Sequence, residues 1–219
     1  MLSISVLVFS TGQTKVLKKT LKYLMKRVDF SGLSVKWLIS DDYVDHPGIN
    51  NEKCRAWIKK LNRFEYCYFP DTNQGFGATI NHLYQQAHTP YVLHIEHDWK
   101  FLKKVSLKPL LEIMEANEDV SCIRFRRKIT KNAALIFWLD EPWRERTFGP
   151  IVLTQTKTWT TNPTLYRTAH IEQALPIENV GSETCLKANM NALGFKSYMI
   201  GKTGERYIKH LRGISAGQY

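Results

Sequence analysis

Tyr91-Val92-Leu93-His94-Ile95 is a nearly continuous apolar run, and it ends on Glu96-His97-Asp98. A short run of this kind without polar alternation is the pattern of a strand buried on both faces, as in a parallel sheet covered by helices. The same grammar recurs on moving toward the amino terminus. Thr89-Pro90 stops a helix carried by Ile80, Leu83, Tyr84 and Ala87, and ahead of that helix lies the loop Asp71-Thr72-Asn73-Gln74-Gly75-Phe76-Gly77. A strand over Phe64 to Phe69 precedes the loop, and a helix around Glu52 to Leu61 precedes the strand. Earlier still, Val35 to Ile39 is a strand ending at Ser40-Asp41-Asp42. Val16, Leu17, Leu21, Leu24, Met25 and Val28 recur with helical spacing, and Ile4 to Ser10 is an opening strand closed by Thr11-Gly12. Alternating strands and helices predict an α/β fold, a mostly parallel sheet flanked by helices, whose ligands bind beyond the carboxyl ends of the strands.

Toward the carboxyl terminus the pattern is less regular. Ser121 to Arg126, Ile151 to Lys157 and Phe195 to Ile200 read as strands, and Ser182 to Leu193 as a helix closed by Gly194. No Pro/Gly/Ser-rich linker and no internal repeat divides the 219 residues, so one domain is expected, with residues 1–100 and 101–219 as its two halves. A composition of 43% hydrophobic and 23% charged residues excludes a disordered chain or a rod. No apolar run approaches the ~20 residues that cross a bilayer. The start lacks the basic region and cleavage pattern of a signal peptide, so the mature chain is expected to begin at Met1. Cys54, Cys67, Cys122 and Cys185 lie far apart without a Cys-x-x-Cys, which argues against zinc ribbons and for a reducing, cytoplasmic setting. With 31 Lys+Arg against 20 Asp+Glu the net charge is +11, which favours anionic partners: nucleic acid, phosphorylated small molecules, or an anionic membrane surface touched peripherally.

Four polar clusters follow strands directly and are expected to converge on one crevice: Ser10-Thr11, Asp41-Asp42, Asn73 to Gly77, and Glu96-His97-Asp98. Two carboxylates and an imidazole at a strand end suit a hard divalent cation together with phosphates, although an isolated Glu-x-Asp is more often a solvated loop. Asp41 and Asp42 can accept hydrogen bonds from a base or ribose, or equally shape a turn. Gly75 and Gly77 permit close backbone approach before a helix, or a plain tight turn. Ile80 stands where a dinucleotide fingerprint would place its third glycine, so that fingerprint is incomplete.

In this order the clusters resemble the GT-A fold glycosyltransferases, especially family 2, across roughly the first hundred residues and more loosely near the carboxyl end. Ile4 to Ser10 is similar to the family's opening strand, Trp37 to Asp42 to its second strand with an acidic pair, Asn73 to Asn81 to its Asn-x-Gly segment, and Tyr91 to Asp98 to the strand that delivers its Asp-x-Asp motif. Glu96 replaces the usual first Asp, and Ile80 stands where many relatives carry a basic residue. The resemblance implies a GT-A, Rossmann-like sheet and an inverting, metal-dependent transfer from a nucleotide-diphosphate sugar, UDP-linked, to a hydroxyl of a carbohydrate or glycolipid. It implies a donor site of Ser10, Thr11, Asp41, Asp42, Asn73, Gly75 and Glu96, and Mn2+ or Mg2+ held by Asp98 and the late His210. Thr161 to Arg167 resembles the stretch on the acceptor side, so Trp159 and Asn162 are expected there. Gly181-Ser182-Glu183 resembles the motif of the catalytic base, with Thr184 in place of the usual following Asp. Glu183 is accordingly the expected base and Glu178 the second candidate; on sequence alone Glu183 is equally a first-turn acid.

Two rival readings remain open. A sugar nucleotidyltransferase on a similar fold also needs a metal beside phosphates. A non-catalytic nucleic-acid-binding module would use the basic run Arg124-Phe125-Arg126-Arg127-Lys128 with Lys131, and the aromatic faces of Trp138, Trp143 and Trp159. That module accounts for the charge and leaves the acids without a role, so no nucleic acid is expected as a partner.

Overall fold

A computed structural model describes residues 1–127, 145–156, 159–202 and 205–211. In chain order the first half comprises β1 (Ser3–Ser10), α1 (Thr14–Arg27), β2 (Val28–Asp29), β3 (Ser34–Asp41), α2 (Asn51–Lys60), β4 (Tyr66–Tyr68), α3 (Phe76–Gln85) and β5 (Tyr91–Glu96). Then follow β6 (Trp99–Phe101), β7 (Val105–Ser106), α4 (Leu107–Ala116), β8 (Val120–Phe125), β9 (Glu145–Phe148), β10 (Ile151–Thr156), β11 (Thr164–Arg167), α5 (Thr168–Gln173), α6 (Ser182–Ala192), β12 (Lys196–Ile200) and β13 (Ile208–His210).

A nine-stranded sheet runs in the order β4-β3-β1-β5-β11-β8-β12-β10-β9. β4, β3, β1 and β5 are parallel neighbours, as the alternating pattern predicts. β11 enters antiparallel between β5 and β8, and β10 runs antiparallel between β12 and β9, so β10 and β11 oppose the other seven strands. The sheet is mostly parallel, and its reversed strands fall in the half whose sequence pattern is irregular.

Successive side chains of a strand point to opposite faces, and the central strands use this to feed two cores. Ile4, Val6 and Val8 of β1, with Ile39, Leu93 and Ile95, pack against Leu17, Leu21 and Leu24 of α1 and Leu110 and Leu111 of α4. Leu7 and Phe9 of β1, with Leu38 and Val92, pack on the other face against Ile80 and Leu83 of α3 and Leu186 and Met190 of α6. Both faces are apolar because both are covered. α2 begins at Asn50, whose side chain accepts the Lys53 amide at 2.8 Å, satisfying a free N–H of the first turn. Two short ladders lie outside the main sheet: β2 with β7, and β6 antiparallel with β13.

Candidate active site

The central strands each hand over polar groups at their carboxyl ends: Ser10 and Thr11 after β1, Asp41 and Asp42 after β3, and Glu96, His97 and Asp98 after β5. Ser10 stands opposite Asp41, and Phe9 opposite Glu96, so the three ends form one rim. Thr11 is partly exposed at this rim and Ser10 is buried beneath it.

The acidic pair is committed to the polypeptide. Asp41 is fully buried; its Oδ1 accepts the Gly12 amide at 2.8 Å, and Arg55 Nε lies 3.8 Å from Oδ2. Gly12 has φ +71°, and a Cβ there would stand 2.4 Å from Ile49, so this turn requires glycine. Burial lifts the Asp41 carboxyl above the usual carboxylate range, offset in part by the Gly12 amide, the Ser10 hydroxyl and the Arg55 charge. Asp41, expected at the donor, is instead a brace beneath the rim. Asp42 accepts the Tyr43 and Gln74 amides on Oδ1, both at 3.0 Å, and the Gly75 amide on Oδ2 at 3.1 Å. Burial raises its carboxyl too, against the pull of those amides.

The glycine loop is likewise filled by the chain itself. Asn73 Oδ1 accepts the Gly75 amide at 2.8 Å, closing a turn in which Gly75 takes φ +81°. A Cβ on Gly77 would lie 2.4 Å from the Glu178 carbonyl oxygen, so the close approach expected of a ligand here is made by residues 178–179. Asn179 Oδ1 accepts the Ala78 amide at 2.7 Å, capping α3 from a distant segment, and its Nδ2 donates to the Gln74 carbonyl at 2.9 Å. Asn81 and Ile177 exchange two bonds of 2.8 Å. These staples fix the segment that leads into α6, where Ser182 donates to the Glu178 carbonyl at 2.8 Å. The side chain of Glu178 is exposed.

Glu183 lies in the first turn of α6, exposed, and its Oε1 accepts both the amide and the hydroxyl of Thr161 at 2.9 Å. Burial pushes the Glu96 carboxyl well up, and the Asp98 and Glu183 charges add to it, so Glu96 stands within electrostatic reach of both. Thr161 opens the stretch expected on the acceptor side, but the sequence assigns it no role of its own; a threonine in a loop carries no such signal until its partner is known.

The β6–β13 ladder sets His210 opposite Trp99, which places His210 Nε2 2.8 Å from Asp98 Oδ2. Asp98 Oδ1 is buried and has no hydrogen-bond partner among the described residues. Asp98 offers a hard carboxylate oxygen of the kind that Mn2+ or Mg2+ takes, given phosphate and water oxygens for the remaining positions. Among the described residues no group of three His, Cys, Asp or Glu is arranged to hold a metal. His97, between the two acids of its motif, is buried and pushed down by burial; its amide donates to the Phe9 carbonyl at 2.8 Å and its carbonyl accepts the Thr20 hydroxyl.

Trp159 is 2% exposed, packs in the second core and donates to Asn191 Oδ1 at 2.9 Å, so it offers no ring face to a sugar; this corrects its expected acceptor role. Asn162 is partly exposed and donates to Thr160 Oγ1 at 2.9 Å. Two arginines of the basic run are buried rather than solvated, and Arg127 is exposed. Arg124 and Arg126 are 5% and 3% exposed, and Arg126 donates to Thr154 Oγ1 and the Gly201 carbonyl. Lys128, Lys131, Trp138 and Trp143 lie outside the described residues.

No family model and no curated protein matches this chain. Solved structures do. GalNAc-T7 with UDP, GalNAc and Mn2+ superposes with a TM-score of 0.70 at 11% identity, covering 97% of this chain and 44% of that one. Residues 1–349 of S. aureus TarS with UDP-GlcNAc give 0.67 at 16% identity, covering 98% and 60%. The mannosyltransferase PcManGT from Pyrobaculum calidifontis, with GDP-Man and Mn2+, gives 0.61 at 10% identity, covering 89% and 53%. The chain has the GT-A fold. It spans roughly half the length of these glycosyltransferases. No described helix is long and apolar enough to cross a membrane.

Proposed function

We propose that this chain transfers a glycosyl group from a nucleotide-diphosphate sugar, a UDP-sugar, to a hydroxyl of a carbohydrate or glycolipid acceptor, with inversion at the anomeric carbon. Two local observations support the reading: Glu183 is held through a single oxygen, and Asp98, beside His210, keeps a buried oxygen without a partner among the described residues. Glycosyl transfer needs both, a proton acceptor for the attacking hydroxyl and a cation for the leaving diphosphate. The structural neighbours, some of them with nucleotide sugars and Mn2+, support the same class of reaction.

In this mechanism Thr161 fixes Glu183 by two donors on Oε1, which leaves Oε2 to take the acceptor's proton. Asp98 and His210 would hold a divalent cation, Mn2+ or Mg2+, which would supply countercharge for the leaving diphosphate. Asp42 keeps the Asn73–Gly75 turn against the rim, where Thr11, Asn73 and Glu96 face the donor. Asn162 lies on the acceptor side. A reducing, cytoplasmic setting and a division into donor and acceptor halves at about residue 100 belong to the same proposal.

The test is product analysis with UDP-sugars, with and without Mn2+. Free UDP is expected; pyrophosphate would instead indicate nucleotidyl transfer. Absence of any melting-temperature rise with nucleotide sugars, metal present or not, would overturn the reading.

A further inference from the structure

α1 turns to solvent a face made almost wholly of lysine. Its buried stripe is Leu17, Thr20, Leu21 and Leu24, and Lys15, Lys18, Lys19, Lys22 and Lys26 are exposed opposite it. The helix contains no acidic residue. Lys15 and Lys19, Lys18 and Lys22, and Lys22 and Lys26 are each four apart, so they repel across successive turns. Among the described residues no ion pair reaches these five; the contact of Lys18 is with the Trp57 ring, 5.0 Å from its centroid.

The charge continues beyond the helix. Lys100 of β6 lies 3.9 Å from the centroid of Tyr23, and Lys209 of β13 stands opposite Lys100 in the ladder. The Tyr23 phenol is held below its ordinary range by its hydrogen bond to Lys100 and the charge there, with Lys22 and Lys26 adding to the effect. Met25, 44% exposed, is the apolar member of this face. The amino-terminal end of this face, at Lys15, lies nearest the rim, since α1 starts just after Thr11-Gly12.

We propose that the lysine face of α1, extended by Lys100 and Lys209, docks the protein on an anionic lipid bilayer, with the rim of the candidate site at the membrane–water boundary. Charge complementarity favours an anionic partner, because an anionic surface would relieve the repulsion among these exposed lysines. The side-chain chemistry favours lipid over nucleic acid. Lysine is a hydrated point charge suited to a diffuse headgroup layer, whereas the arginine fork is the group that reads phosphates and bases bidentately. The single arginine of α1, Arg27, is half-buried. The apolar stripe of α1 is spent on the core, so the docking is electrostatic, on the surface of the headgroup layer. This docking is independent of which reaction the rim performs.

The whole chain is tested by co-sedimentation with phosphatidylcholine vesicles, pure or containing about 30% phosphatidylserine. Binding is expected to the anionic vesicles only, and to weaken with salt. Lys15→Glu/Lys22→Glu replaces like-charge neighbours with opposite-charge pairs, so its melting temperature should hold or rise while vesicle binding falls by at least ~10-fold. Lys15→Gln/Lys22→Gln, neutral rather than reversed, should give an intermediate loss. Lys36→Glu/Lys187→Glu makes the same change in net charge at exposed lysines elsewhere and should stay within about twofold of the wild type, since the effect of a charge on a surface fades beyond a Debye length. Equal loss in this control, equal binding to pure phosphatidylcholine, or displacement from vesicles by duplex DNA or RNA would overturn the proposal, the last by identifying a nucleic-acid partner.

Discussion

Glu183 is the residue on which chemistry and structure separate most cleanly. Its amide analogue keeps the Thr161 bonds and loses only the proton acceptor, so Glu183→Gln should lower kcat by roughly 10²-fold or more while donor affinity is retained. Glu178→Gln is the comparison, because Glu178 serves the fold through its carbonyl. Near-normal turnover in Glu183→Gln, measured beside its melting temperature, would reduce Glu183 to a first-turn acid. Asp98→Asn removes the carboxylate of the Asp98–His210 pair without touching either core; calorimetric Mn2+ binding should weaken at least ~10-fold, and unchanged binding would move the cation elsewhere. At this scale the sequence was legible where a motif ends a strand, as at Asp98, and misleading where burial decides. Asp41 and Trp159 carry the right chemistry for a ligand, but the Gly12 amide and Asn191 have taken it. Thr161 and Asn179 were illegible because each acts through a partner distant in the chain.

α3 and the segment before α6 behave as one stapled unit, and Gly77 is its tightest point. Gly77→Ala must displace the Glu178 carbonyl, so it should cost about 1–3 kcal/mol in urea unfolding, more than an alanine in an open helix. Asn179→Ala removes the remote cap of Ala78 and should cost about 1 kcal/mol. A Gly77→Ala variant as stable as the wild type would mean that the two segments part readily. Elements buried on both faces, such as β1, β3 and β5, were readable as continuous apolar runs. Pairings of two or three residues, β2, β6, β7 and β13, have too little length for a period to show. α4 was missed because Pro109 interrupts its pattern; the proline sits in the first turn, where its absent N–H has no intrahelical partner to lose. β11 was read only as a polar acceptor-side stretch, and its reversed direction has no signature in composition.

The molecule as a whole should be sensitive to acid, and His94 is the principal cause. It is fully buried against the Phe9 ring, bonded to Tyr84, and burial pushes its pKa down to about 3. Below ~6.5 the unfolded chain binds a proton at this residue that the native chain refuses, so the unfolded state holds more protons and native stability falls as pH drops toward 3. The slope from this residue approaches about 1.4 kcal/mol per pH unit. Asp41, Asp42 and Glu96 act in the opposite sense, since their raised native values mean that stability is lost as pH rises through them. Subtracting the profile of His94→Gln from that of the wild type isolates the histidine: the mutant should be flatter between pH 6.5 and about 4, and parallel profiles would exclude His94 as the acid-labile group. At this scale the sheet's parallel half was legible throughout, while the antiparallel insertions depend on long-range pairing that no local pattern records. The β6–β13 ladder adds a consequence in time. Asp98 leaves the ribosome well before His210, so a growing chain can assemble the strands from β1 to β5 and their helices while the Asp98 carboxylate still lacks its imidazole neighbour, and the pair forms only when β13 closes on β6.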